Sequence, residues 1–226
     1  MAAENPDEAQ EAQEAAHDGA QASARTRAAQ AGQQARAKAE FILSRAYGLF
    51  RDPTAEWEQI RKEETNAASL MLGYVAPLAA IPPLAGAFGQ FAFARGITGG
   101  PSDIIVGAAT SFLVFLAIVY FLGFLTNAIA ENFEGDKDEL AALKAIAYSS
   151  TPAFLSGAFA LWPSIWWVGL IGTAYSAFLL YRGLPPLMKT PADRTVAYAA
   201  TIIAAGLVAA VVLGALTSAL TGSGGL

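Results

Sequence analysis

The sequence contains no cysteine and a single histidine, His17. Without cysteine the chain can form neither a disulfide nor a thiolate site. One histidine near the N-terminus cannot complete a serine–histidine–aspartate triad or a zinc site of the usual kind within the rest of the chain. The phosphate-binding motifs G-x-x-x-x-G-K-[ST] and G-x-G-x-x-G are also missing. These absences predict a protein that is not an enzyme and uses no cofactor or metal.

Charge is scarce as well, because only 15% of the 226 residues are charged and 54% are hydrophobic. Soluble domains are closer to a quarter charged. The apolar residues form four uninterrupted blocks, each long enough for the roughly 20 residues that a membrane-spanning helix requires. The pattern predicts an all-α, polytopic transmembrane bundle. The blocks are 67–94, 104–130, 145–181 and 195–226.

The third block is too long for one span. Its 37 uncharged residues would make a helix of about 55 Å, whereas the hydrocarbon core is about 30 Å thick. A turn at 161–167, "LWPSIWW", is favoured because Pro163 disfavours helix in the residue before it. We therefore expect a bundle of five helices. The predicted spans are 67–94, 104–130, 140–161, 164–182 and 195–220, within a transmembrane domain at 67–220.

Two segments precede the first span. Residues 1–40 are rich in alanine and glutamine and lack large apolar side chains, which predicts a soluble tail that is disordered or transiently helical. Residues 41–66 are amphipathic, and Asp52 and Pro53 suit the N-cap and first position of a helix. We expect this helix to lie at the membrane interface. Four tryptophans are predicted as interface anchors: Trp57, Trp162, Trp166 and Trp167.

Basic residues are distributed unequally between the two sides of the predicted bundle. If the N-terminus is cytoplasmic, Arg95 is the only lysine or arginine flanking the spans on the opposite side. The positive-inside rule therefore predicts a cytoplasmic N-terminus and a short periplasmic tail at 221–226. The nine residues on the cytoplasmic side are Arg45, Arg51, Arg61, Lys62, Lys137, Lys144, Arg182, Lys189 and Arg194.

Several short motifs occur in a characteristic order. "DPTAEWEQI" precedes span one and "AYSSTP" lies in span three; "YSAFLLYRGLPPLMKTP" ends span four and "ADRTVAYAATII" leads into span five. Over residues 45–220 the chain resembles the bacterial branch of the Yip family of five-span membrane proteins. The resemblance implies a multi-pass protein of the bacterial inner membrane. Eukaryotic members are associated with Rab-type small GTPases and vesicle traffic, but the alanine-rich composition is typical of bacteria and that partner is not carried over.

Polar residues near the end of span two form one candidate site. Asn127 and Glu131 are four residues apart on one helix face, and Asn132 flanks them. They could bind an ion or a partner. The alternative is that Glu131 marks the point where the helix leaves the hydrocarbon.

Prolines inside the spans predict kinks, because each removes a backbone donor. Pro77, Pro82 and Pro83 lie in span one, and Pro152 lies in span three within "YSSTP". The kinks have either a structural role, with nearby hydroxyls satisfying the freed carbonyls, or they line a substrate path.

Span five carries small residues at four-residue spacing, which favours close helix packing against another span or a second copy of the chain. This small-residue stripe is Gly206, Ala210, Gly214 and Ser218.

The sequence as a whole predicts a scaffold or adaptor that acts through contacts with the lipid bilayer and with other membrane proteins or itself, without nucleic acid. The alternative is a small transporter or channel with a path lined by kinked spans one and three.

Overall fold

The computed structural model describes residues 6–93, 100–165 and 167–221. These residues form α-helices joined by one π-helical turn and three short 3-10 turns, without a β-strand. The predicted all-α fold is confirmed for this part of the chain. The helices are α1 (Pro6–Arg51), α2 (Pro53–Lys62), α3 (Ala67–Leu70), α4 (Ala76–Ala79), α5 (Ile81–Phe93), α6 (Pro101–Ile129), α7 (Glu139–Ser149), α8 (Thr151–Ser156), α9 (Trp167–Met188) and α10 (Ala192–Thr221).

The chain divides into two units, Met1–Ser44 and Arg45–Leu226. The composition predicts a tail that is disordered or transiently helical, and in the first unit the residues from Pro6 onward belong to α1. Alanine, glutamine, glutamate and arginine are among the strongest helix formers, so local propensity explains the helix. The side chains of residues 23–40 are exposed.

Three helices of the second unit are long and apolar enough to cross a membrane: Ala67–Phe93, Pro101–Phe133 and Ala192–Ala215. They correspond to the predicted first, second and fifth spans. Large apolar side chains on the last two are exposed, as expected for surfaces that face lipid and not water. Examples are Ile105, Leu113, Tyr120, Phe124, Leu207, Val208 and Val211.

The first of these helices is irregular. A π-helical turn at Met71–Val75 separates α3 from α4, and the chain turns at Ala80 before α5 begins. Pro82 and Pro83 follow directly, inside the first turn of α5, where the missing N–H of proline is tolerated. The irregular segment therefore coincides with the prolines of the predicted first span.

A second interruption separates α7 from α8 at Ser150, two residues before Pro152. Pro152 has no N–H to donate to the carbonyl of Tyr148, four residues earlier. The hydroxyl of Thr151 donates to that carbonyl instead, at 2.7 Å. This contact matches the structural role considered for the "YSSTP" kink.

Helix α7 lies at the centre of the bundle. It packs against α6 on one side and α9 on the other, and all nine residues from Ala141 to Ser149 are buried. The approach to α6 is very close at Gly123, where an added Cβ would lie 3.1 Å from the Cα of Leu143. Small side chains on both helices allow this packing.

Helix α10 packs against α6 and α9. The ring of Tyr198 stacks on Phe133 at 4.8 Å between centroids, and its hydroxyl donates to the carbonyl of Thr126. Farther along, a Cβ added at Gly206 would lie 3.2 Å from Leu122 Cδ1, whereas one at Gly214 would meet no heavy atom within 4 Å.

The predicted stripe on α10 is thus in close contact at Gly206 and open at Gly214. Ala210, between them, is exposed. The side chain of Ser218 lies outside the described residues.

We predict that Gly206→Leu destabilises the protein and that Gly214→Leu does not. A leucine at 206 must displace Leu122, and overpacking of this kind costs about 1–3 kcal/mol. Thermal aggregation in detergent and accumulation in the membrane would measure the difference. If Gly214→Leu were the more damaging variant, the exposed end of the stripe would be packing against a second copy.

Candidate functional site

The most unusual feature of the second unit is a buried arginine that bridges two carboxylates. Arg45, near the end of α1, donates from Nη1 to Glu56 of α2 at 2.5 Å and from Nη2 to Glu63 at 2.6 Å. A guanidinium offers donors in a fixed planar arrangement, so one side chain can hold two acids at once. Arg45 therefore fastens α2 and the residue beyond its end to the end of α1.

Tyr148 of α7 completes the binding of Glu63. Its hydroxyl lies 3.0 and 3.1 Å from the two carboxylate oxygens of Glu63, and its ring lies 5.4 Å from Cζ of Arg45. A cation over an aromatic face gains about 0.5–2 kcal/mol, depending on how far it is desolvated. The same tyrosine thus contacts both members of the Arg45–Glu63 pair.

Lys144, one turn before Tyr148, holds the C-terminal end of α2. Its ammonium donates to the carbonyls of Ile60 at 3.1 Å and Glu63 at 2.5 Å. Carbonyls at a helix C-terminus have no partner within the helix, and the helix dipole makes this end favourable for a cation. Lys144 therefore caps α2 from a neighbouring helix.

We refer to Arg45, Glu56, Glu63, Lys144 and Tyr148 as the ion clamp. Arg45 and Glu56 are each 8% exposed and Lys144 is 5% exposed. The two cations balance the two carboxylates, as burial of charge requires. The clamp joins α1, α2 and α7 through side chains that are engaged with one another.

Gly48 allows Glu56 to approach α1. A Cβ at this position would overlap the Glu56 carboxylate, so any larger residue would push the acid away from Arg45.

Asp52 caps α2 by accepting from the backbone N–H of Ala55 at 3.0 Å, and Pro53 is the first residue of the helix. The predicted start of α2 is therefore confirmed.

The structure corrects the predicted role of Trp57. Its side chain is 1% exposed and packs on α9, where an added Cβ on Gly183 would lie 2.7 Å from the indole. The sequence suggests a ring at the lipid interface with a wet N–H, but Nε1 is buried without a hydrogen-bond partner. The helix is docked on protein, so its one large aromatic points inward.

Of the other predicted interface anchors, Trp162 and Trp167 are both exposed, and Trp166 lies outside the described residues.

A second polar contact lies deeper, between the two irregular helices. The hydroxyl of Tyr74, in the π-helical turn, lies 2.7 Å from Oγ1 of Thr151. Since Thr151 donates its own hydrogen to the Tyr148 carbonyl, Tyr74 is the donor. The rings of Tyr74 and Tyr148 are 4.6 Å apart, so these side chains connect the clamp to the interrupted parts of both helices.

The predicted polar patch at the end of α6 is dispersed. Glu131 forms an exposed ion pair with Lys137 at 2.8 Å, and Asn132 is exposed. The Oδ1 atom of Asn127 is buried without a hydrogen-bond partner. Because α6 ends at Ile129, Glu131 and Asn132 lie in the following 3-10 turn and not on the helix with Asn127.

Further ionic contacts join the segments on either side of the clamp. Lys189 pairs with Asp136 at 2.7 Å, Arg194 pairs with Glu134 at 3.0 Å, and Arg182 donates to Thr54. The hydrogen bond with Asp136 raises the pKa of the Lys189 ammonium. These contacts bring residues 54–63, 134–144 and 182–194 to one end of the bundle, which we call the α2 end.

Two cavities open at the α2 end. The larger, of about 460 Å³, lies between α2 and the last turns of α9. The smaller, of about 190 Å³, lies beside the N-terminus of α7. Residues lining the larger are Thr54, Trp57, Glu58, Tyr181, Arg182, Pro185 and Pro186. Residues lining the smaller are Arg61, Asp138, Leu140, Ala141, Lys144, Pro186, Leu187 and Lys189.

The Yip1 domain model matches residues 47–213. The chain belongs to the Yip1 domain family. The match includes all of the clamp except Arg45, which lies two residues before it. The Yip1 family resemblance noted from the sequence is therefore shown.

Two relatives of this Yip1 chain are inner membrane proteins named YohC, from Escherichia coli strain K12 and from Escherichia coli O6:H1. Each is 30% identical over 193 residues, which is 80% of this chain and 98% of the relative. No solved structure matches the Yip1 chain significantly. Family membership and helical architecture together show an integral membrane protein.

The clamp was not predicted from the sequence, because Arg45 and Lys144 were interpreted only as basic residues that mark the cytoplasmic side. A usable signal was present in α2, where Glu56, Ile60 and Glu63 recur at spacings of four and three and share one helix face. Two acids on the face that also carries the apolar Ile60 indicate that the buried side of the helix needs cations. Nothing in the spacing indicates which cations, because Glu63 is 18 residues from Arg45 and 85 from Tyr148.

We predict that Arg45→Met costs about 3–5 kcal/mol of stability, because it leaves the buried Glu56 and the partly buried Glu63 without their shared cation. Thermal unfolding in detergent would measure the loss. The triple variant Arg45→Met/Glu56→Gln/Glu63→Gln should recover most of it, since the acids are then neutral.

Arg51→Met is the matched control, because Arg51 is an exposed arginine on the same helix, bonded to Tyr47. Equal stability of the Arg45→Met and Arg51→Met variants would contradict the proposed importance of the clamp.

Proposed function

We propose that this Yip1 protein crosses the bacterial inner membrane five times and acts as a non-enzymatic scaffold or adaptor, through protein or lipid contacts at its α2 end. The observation that carries the proposal is the ion clamp. The charged side chains of the clamp bind one another and hold α2 against the bundle, so they are not available to act on a reacting group. Such an arrangement presents a fixed surface to partners.

The ion pairs at the α2 end support five spans. Residues 134–136 and 189–194 meet there through Asp136–Lys189 and Glu134–Arg194. The intervening chain must therefore leave this end and return to it, which takes two crossings. These would be Glu139–Leu161, formed by α7, α8 and a 3-10 turn, and α9.

The position of the turn between those crossings agrees with this count. A Cβ on Gly89 would lie 3.5 Å from the backbone of Ala160 and Leu161, and Gly89 belongs to the last turns of the first span. Residues 160–161 are therefore level with the end of that span that lies away from α2.

The distribution of basic residues supports the orientation. Arg61, Lys144, Arg182 and Lys189 all lie at the α2 end. Because lysine and arginine are retained on the cytoplasmic side, this end faces the cytoplasm and the chain after α10 faces the periplasm. The inner-membrane location follows the names of the two relatives.

The alternative function, a transporter or channel with a path along kinked spans one and three, has less support. Between these spans the structure has the Tyr74–Thr151 hydrogen bond and the packed rings of Tyr74 and Tyr148. All three residues are buried. The hydroxyls at the kink are used on backbone carbonyls and on each other, which is what a sealed contact requires.

We predict opposite locations for reporters fused after Leu226 and inserted at Asp136. The first should report the periplasm and the second the cytoplasm, because three of the five proposed crossings lie between Asp136 and Leu226. A third reporter at Ser164 should report the periplasm, since it lies in the turn between the two proposed crossings. Cytoplasmic signals at both Asp136 and Ser164 would contradict the five-span arrangement.

We predict that a photoreactive residue at the exposed position Gln59 forms a discrete protein adduct in native membranes. The same residue at Val211, on the exposed face of α10, should give lipid adducts only. Arg45→Met should weaken the Gln59 adduct, because α2 then loses its fixed position.

The transporter alternative makes a different prediction for the same protein. Two results together would favour a transporter over a scaffold. The protein would take up a solute into proteoliposomes, and a bulky residue at Thr151 would abolish this uptake. In addition, the photoreactive residue at Gln59 would give no protein adduct.

A further inference from the structure

The smaller cavity at the α2 end brings together three cations from three separate segments. Arg61 comes from α2, Lys144 from α7 and Lys189 from the turn after α9. The cavity wall contains one acid, Asp138, and Asp138 already accepts from the backbone N–H of Ala141 as the cap of α7. Cations that converge in this way repel one another unless an anion lies between them.

The protein partners of these cations leave donors unused. Lys144 has three N–H groups and donates two of them, to the carbonyls of Ile60 and Glu63. Arg61 uses Nε and Nη2 on Glu58, and Lys189 makes one hydrogen bond, to Asp136. The pairs of Arg61 and Lys189 are solvent-exposed, and exposed ion pairs contribute little to stability. An anion can therefore be bound without breaking a strong internal contact.

Helix α7 adds to the positive potential of the cavity. Its first turn lines the cavity through Leu140 and Ala141, and a helix N-terminus carries partial positive charge with backbone N–H groups directed outward. The helix is 11 residues long. The cap Asp138 and the first-turn residue Glu139 offset part of this charge, so the positive potential of the cavity comes mainly from the three cationic side chains.

The size and lining of the cavity restrict the anion. A volume of about 190 Å³ accepts a phosphate group with a small substituent but not a polypeptide. The remaining wall is apolar, formed by Leu140, Pro186 and Leu187. A ligand with a phosphate and an adjoining apolar part fits this combination.

We propose that the cavity binds the phosphate group of an anionic phospholipid of the cytoplasmic leaflet. The proposal rests on the five-span orientation given above, because that orientation places the α2 end at the lipid headgroups. Basic side chains next to a membrane-spanning helix on the cytoplasmic side attract anionic headgroups. Free phosphate shares the same chemistry and is distinguished by the experiment below.

The test uses the full-length protein in a mild detergent, with lipid binding followed by native mass spectrometry and thermal stability. Phosphatidylglycerol should bind at least tenfold more tightly than phosphatidylcholine. The variant Arg61→Gln/Lys189→Gln should weaken phosphatidylglycerol binding about tenfold or more, because charge-assisted hydrogen bonds are lost. Lys189→Arg should retain binding, since it keeps the charge.

The matched control is Lys62→Gln/Lys137→Gln. Both control lysines are exposed and neither lines the cavity, so the control removes the same net charge from the same end. If the control and cavity variants lost phosphatidylglycerol binding equally, the loss would come from the lower net charge at this end and not from the cavity. That result would overturn the proposal. Unchanged binding in the cavity variant would also overturn it.

Inorganic phosphate is the third arm of the test. Competition by inorganic phosphate at concentrations similar to those of phosphatidylglycerol would assign the cavity to a free anion and overturn the lipid source. Because binding is measured in detergent, these outcomes do not depend on the reporter signals or adducts that test the proposed function. Failure of one proposal can thus be separated from failure of the other.

Discussion

The architecture of the α2 end depends on one guanidinium. Arg45 binds Glu56, which lies on the buried face of α2 with Ile60, and Glu63, which follows the last residue of that helix. Without a cation between them, these acids would be two uncompensated charges and α2 could not pack against protein. Because Arg45 binds both acids and Lys144 supplies the second positive charge, α2 docks along the bundle. Trp57 then packs on Gly183 of α9.

The ion clamp also explains why α7 is the most buried helix. A helix that lies between α6, α9 and the end of α2 has little surface left for lipid, and its residues are alanine, leucine and isoleucine with a few polar groups. The close approach to α6 is permitted by Gly123, whose missing side chain leaves room for Leu143. The polar groups Lys144 and Tyr148 are tolerated because each has partners in the clamp. Burial of α7 and neutralisation of α2 are therefore two consequences of the same contact.

The sequence allowed accurate prediction where a long apolar run or a local capping signal decided the structure. The helices beginning at Ala67, Pro101 and Ala192 and the Asp52–Pro53 start of α2 belong to this class. For the tail the composition leaves disorder and transient helix open, because alanine favours helix even without a core. Trp57 was misplaced because an amphipathic helix beside a membrane can bury its apolar side in lipid or in protein, and only the distant partners Arg45, Lys144 and Tyr148 decide between them.

Charge at the α2 end has two distinct distributions. In the clamp, cations and carboxylates are equal in number, and all but the partly exposed Glu63 are buried, so the energy of each charge depends on its protein partner. The wall of the neighbouring cavity contains three cations and one acid, and two of the cations, Arg61 and Lys189, have exposed carboxylate partners. Lys144 belongs to both, since its ammonium caps α2 and its side chain lines the cavity. An anion bound in the cavity would therefore act on the residue that holds α2, which links the surface presented to partners with the lipid at the same end of the bundle.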